Sequence, residues 1–119
     1  MNSRQLNQLL VSTFPHLKTQ YEDEVSWQDG DDTGSHVVYG DLLVPILDQL
    51  MESGNLDEAE PYFAFIEHLL ELNDDYGANV ATVTLIEGLY FGTGDRDLIP
   101  NHLGPLSQNV WAKYYANAA

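Results

Sequence analysis

The chain has 119 residues, 44% of them hydrophobic and 11% aromatic, which suits one domain with a real core and leaves no room for two. Nineteen Asp and Glu face four Lys and Arg, a formal net charge of −15. Such a field repels phosphate backbones and anionic lipid and attracts a basic protein or cations, and the absence of cysteine excludes thiol catalysis, disulfides and thiolate zinc. The first apolar stripe, Leu6, Leu9, Leu10 and Thr13, predicts a helix over Ser3 to Thr13 with Ser3 as its N-cap, stopped at Phe14-Pro15. His16 to Trp27 reads as a second, weaker helix with Leu17, Tyr21 and Val25 inside, and Gln28 to Ser35 as a polar, glycine-bearing loop.

From His36 to Ser53, Val38, Leu42, Ile46 and Leu50 recur at helical spacing. Gly40 and Pro45 predict a kink near residue 41 or a start at Asp41, and Gly54 suits the residue that ends the helix. Asn55 with Glu58 has the spacing of a capping box, and Pro61 places the next main helix from about Glu60 to Leu72. Phe63, Ile66, Leu70, Tyr62 and Leu69 form its inner side, and Asn73-Asp74-Asp75 closes it. Gly77 to Phe91 has the β-branched propensity of a strand, but Val83, Ile86 and Tyr90 keep helical spacing, so a buried helix is expected. A glycine loop and a short turn lead to a last helix from Pro105 to Ala116 with an aromatic side of Trp111, Tyr114 and Tyr115. The sum is an all-α, single-domain bundle or short helical-hairpin array of five to six helices over residues 1–119.

No segment carries the pattern of an enzyme. There is no nucleophile elbow and no phosphate loop, and only four bases exist to meet an anionic transition state. Asp29-Gly30-Asp31-Asp32-Thr33-Gly34 begins like a calcium loop, but Gly40 stands where the bidentate glutamate belongs, so an acidic solvated loop is expected. Glu67 and Glu87 sit in apolar runs without any Glu-x-x-His pair. They read as stripe-edge residues or as acceptors for a helix terminus or a tyrosine hydroxyl, not as a di-iron set. The four histidines are scattered, so no metal and no cofactor is implied. Met1 to Phe14 has no basic and apolar leader pattern, and no stretch approaches about 18 apolar residues, so a cytoplasmic protein off the membrane is expected.

The charge carries the functional reading. Eighteen of the nineteen acids lie between Lys18 and Arg96. Six, Glu22, Asp23, Glu24, Asp29, Asp31 and Asp32, fall around Tyr21 and Trp27, a further set with Glu52, Asp57 and Glu58 flanks Gly54, and Asp74 and Asp75 follow Glu71. Acids mixed with aromatics suit a tight binder of a basic protein, with carboxylates speeding encounter and Tyr21, Trp27 or Tyr62 as anchors.

Tyr39-Gly40-Asp41-Leu42-Leu43 with Pro45, Phe65-Ile66-Glu67, Val83-Thr84-Leu85-Ile86-Glu87-Gly88-Leu89 and Leu103-Gly104-Pro105 resemble a family of small helical bacterial proteins. Their size and composition are similar to immunity proteins of bacterial toxin systems, including contact-dependent growth inhibition. The resemblance covers residues 36–106. It implies neutralisation of a cognate toxin domain, often a basic nuclease, in the cytoplasm, and it carries no functional residue over. An intracellular adaptor and a DNA-mimic inhibitor are the alternatives.

Overall fold

The first turn of the chain is fixed by a capping box one residue earlier than expected. Asn2 is the N-cap of α1 (Ser3–Thr13): its side chain accepts from the Gln5 N–H at 2.9 Å, and the Gln5 side chain accepts from the Asn2 N–H at 2.9 Å. Ser3 is instead the first helical residue, and its hydroxyl meets the Tyr76 hydroxyl at 2.9 Å. The computed structural model describes residues 1–115, and within them Leu6 and Leu10 of α1 are wholly buried. Phe14 ends α1 and enters the core, stacked on Tyr62 at 4.7 Å and edge-on to Phe65 at 5.2 Å. A short 3₁₀ turn over Pro15–Leu17 leads into α2 (Lys18–Ser26), which buries Tyr21 and Val25 as its spacing predicts.

Helix α3 (Ser35–Ser53) runs unbroken through Gly40 and Pro45, so the late start at Asp41 is wrong. An internal proline costs about 3 kcal/mol. Pro45 lies on the exposed side, while Val38, Tyr39, Leu42, Leu43 and Leu47 bury the opposite face, each contributing about 1.5–3 kcal/mol. Tertiary burial outweighs the local breaker. Gly54 closes α3 in the left-handed region (φ 75°), and the Asn55 N–H reaches back to the Leu50 carbonyl at 3.0 Å.

Helix α4 (Leu56–Glu71) starts earlier than its proline suggests, with Pro61 inside it on the exposed side. The expected Asn55–Glu58 box does not form, because Asn55 makes no side-chain cap; its carbonyl accepts from Ala59. Asp74 caps α5 (Asp75–Val80) through the Gly77 N–H at 2.8 Å and also holds the N-terminal amine of Met1. The helix continues through a π-helical stretch, Ala81–Ile86, into α6 (Glu87–Phe91), so the helical spacing prevails over strand propensity. The wider turn lets Leu85 and Ile86 both reach the core. Last comes α7 (Pro105–Tyr114), with Pro105 in its first turn; the expected end at Ala116 lies outside the described residues.

Counting 75–91 as one helical run, six helices form an all-α bundle, with no strand among the described residues. α3 is its centre and packs against α1, α2, α4 and the 75–91 run. Gly88 permits that last contact: a Cβ there would stand 2.9 Å from the Val44 methyls.

Candidate partner-binding surface

The acids nearest Tyr21 already have partners within the chain, although the Asp31 and Asp32 side chains stay 46% and 66% exposed. Tyr21 is only 4% exposed, and its hydroxyl donates to Asp31 at 2.8 Å. Burial, then that bond, push the phenol above its ordinary value. Arg4 of α1 clasps the same loop, its Nε and Nη2 donating to the two Asp32 oxygens at 3.0 and 3.2 Å and its Nη1 to Asp31 at 3.5 Å. The guanidinium's hydrogen bond and charge hold Asp32 below the usual carboxylate range. Asn7 adds bonds to the Asp31 and Thr33 carbonyls. The loop is therefore a 3₁₀ turn, Gly30–Asp32, tied to α1. Among the described residues no group of three or more His, Asp or Glu could hold a metal ion.

Two of the three expected anchors are likewise occupied. Tyr21 and Tyr62, the latter 8% exposed and bonded to His16 at 3.1 Å, already belong to the core. Trp27 does not. It sits at the end of α2 and is 73% exposed, the most exposed of the large hydrophobic residues.

Trp27 stands on a groove of about 360 Å³ between α2 and α3, with Asp23 and Glu24 on one side and Asp41, Pro45 and Ile46 on the other. Gln28 donates to Glu24 at 2.7 Å. Desolvation, followed by the adjacent Asp41 charge, nevertheless raises the Glu24 carboxyl above its ordinary value. Sequence reasoning found Trp27, Asp23 and Glu24 but missed Asp41, Pro45 and Ile46, which lie on a different helix. The only signal for them was Asp41 and Pro45 standing one turn apart, with Pro45 kept in a helix it should break.

The remaining acids serve elsewhere or stand apart. Glu22 is exposed with Lys18 at 3.9 Å, and Asp29 is exposed at the start of the loop. Glu52 lies eleven residues beyond Asp41 on α3, about 16 Å along the axis. Asp57 and Glu58 occupy the first turn of α4, and Asp75 that of α5, where the helix dipole favours negative charge. Asp48 accepts from the Thr93 N–H and hydroxyl at 2.6 and 3.0 Å, holding the loop after α6.

Glu67 is buried and accepts from the Leu106 N–H at 3.0 Å and from the Ser107 N–H and hydroxyl at 2.9 and 2.8 Å. It caps α7 from α4, in place of Gly104, which has no side chain to do so. This is the helix-terminus role expected of it. Gly104 is required: a Cβ there would meet the Glu67 carboxyl at 2.5 Å. Two segments that carried the resemblance, Phe65-Ile66-Glu67 and Leu103-Gly104-Pro105, are thus two halves of one joint. Glu87 is half-buried, and its charge helps raise the Tyr115 phenol, after burial.

A family profile described as Domain of unknown function (DUF7674) matches residues 7–117. The chain belongs to that family. Within this DUF7674 domain lie the α2–α3 groove and the Glu67–Gly104 joint, while Arg4 falls before the matched region. The family's description assigns no activity, and no curated protein and no solved structure gives a significant match.

Proposed function

We propose that this DUF7674 protein is a non-enzymatic binding protein whose α2–α3 face receives a basic partner protein. The observation that carries the reading is an exposed Trp27 beside three carboxylates, Asp23, Glu24 and Asp41, from two helices. A bare tryptophan on a charged surface is costly to hydrate and is the residue type that anchors interfaces. Like charges held together store repulsion that a cation relieves. The titratable groups best placed for chemistry, Glu67, Asp31, Asp32 and Asp74, are committed to helix ends and ion pairs.

The partner we propose is a bacterial toxin domain, following the resemblance to immunity proteins. Neutralisation would take place in the cytoplasm, with carboxylates occupying the toxin positions meant for an anionic substrate. No helix among the described residues is long and apolar enough to cross a membrane, which is compatible with that setting. The test is survival of cells that co-express this chain with a candidate basic toxin domain, starting with any that is encoded beside its gene. Reversing Asp23, Glu24 and Asp41 to Lys abolishes protection, whereas reversing Glu52, Glu60 and Asp97, an equal change in net charge, leaves it. Full protection by the first variant refutes the reading.

A further inference from the structure

The partner reading leaves open which group enters the groove, and the chain's own cations narrow it. Arg4 is held by Asp31 and Asp32, Lys18 stands by Glu22, Arg96 lies 4.3 Å over the Tyr90 ring, and Lys113 lies 5.1 Å over Tyr114. All four bases of the sequence are thus engaged away from Asp23, Glu24 and Asp41. A cation for these carboxylates must come from another molecule. The half-buried Tyr90 and the exposed Tyr114 already carry a cation, whereas the exposed Trp27 has no ring or cation partner among the described residues.

We infer that the groove is a seat for one arginine side chain of the partner, its guanidinium stacked on Trp27 and hydrogen-bonded to Glu24 and Asp41. This rests on the partner reading above. The floor decides for a long side chain: Leu42, Pro45 and Ile46 offer apolar surface to a methylene stem while the charged head meets the carboxylates. The rim decides for arginine over lysine. A guanidinium is planar and weakly hydrated, so it can lie on an indole while its edge donates to carboxylates on two sides. An ammonium is a strongly hydrated point charge and gains less from the ring. A hard metal ion wants six or more oxygen ligands, and no three-residue cluster for one exists among the described residues.

The experiment titrates the full chain with acetylated, amidated Gly-Ser-Arg repeat peptide, its Gly-Ser-Lys counterpart of equal charge, and a citrulline version. Calorimetry and tryptophan emission report binding. The expected result is arginine binding about fivefold or more tighter than lysine, no binding of citrulline, and loss of the arginine preference in Trp27→Leu and in Asp41→Asn. Equal affinity for arginine and lysine, an unchanged preference in either variant, or no binding of the arginine peptide at millimolar concentration overturns the inference. Any of these, with Asp23, Glu24 and Asp41 still needed for protection, removes the arginine seat and leaves the basic-partner reading standing. Protection that survives their reversal removes the reading itself.

Discussion

Replacing Glu67 with Ala removes three acceptor contacts at once: from the Leu106 N–H, the Ser107 N–H and the Ser107 hydroxyl, at 3.0, 2.9 and 2.8 Å. Ser107 is fully buried, so its donors lose their partner in a place water reaches poorly. Each orphaned donor costs about 1–3 kcal/mol, and the lost carboxylate at a helix N-terminus adds a fraction of that. Relaxation of α7 and entry of water by the Gly104 side bring the expected total to about 3–4 kcal/mol. With an unfolding entropy of about 2.1 cal/mol/K per residue, this lowers the melting temperature by about 12–16 °C. Gly104→Ala attacks the same joint from the other side, because its Cβ would run into the Glu67 side chain. In the Glu67→Ala background that clash is gone, so the two substitutions are strongly non-additive. Urea unfolding followed by circular dichroism and by tryptophan emission measures all four members of the cycle. A Glu67→Ala cost below about 1 kcal/mol, or additive losses, refutes the joint.

Three other outcomes follow from contacts elsewhere. Gly88→Ala forces a Cβ against Val44 at 2.9 Å and costs about 1–3 kcal/mol; Val44→Ala on the same chain restores most of it, and thermal melts decide. Asp41→Asn removes a charge that raises Glu24, so the Glu24 carboxyl titrates closer to its ordinary value in carbon-detected NMR; an unmoved titration contradicts the pairing. Asp32 and Asp74 are held low in the folded state, so their contribution is present above the unfolded-state carboxylate value and is lost as pH falls through their depressed folded values. Arg4→Ala removes the Asp32 part of that acid sensitivity, which pH-dependent melts will show, and an acid limb identical to that of the parent chain rules it out.

The helices were legible wherever burial followed a regular stripe, as in α1 and α2. The Pro45 and Pro61 positions were not, because a local rule about proline says nothing of the apolar face that overrides it. The N-cap of α1 was displaced by a single residue, since Asn2 and Ser3 are both good caps and only the Gln5 partner chooses between them. The acidic clusters were visible as composition, yet their fates differ by tertiary contact. Asp31 and Asp32 meet an arginine 27 and 28 residues away, and Glu67 meets a helix end about 40 residues on. The groove itself joins two helices across a loop, so no window of sequence contains it. Trp27, Asp23 and Glu24 marked one side of it in advance, while Asp41, Pro45 and Ile46 on the other were missed.

The claim that a basic partner enters beside Trp27 has an internal control in the second tryptophan, Trp111, which is 4% exposed on α7. The indole N–H signals of both are followed by two-dimensional NMR while a basic toxin domain that the chain protects against is added to the full chain. The account predicts that the Trp27 signal shifts or broadens in step with binding while the Trp111 signal stays in place. A complex that forms with the Trp27 signal unmoved contradicts it.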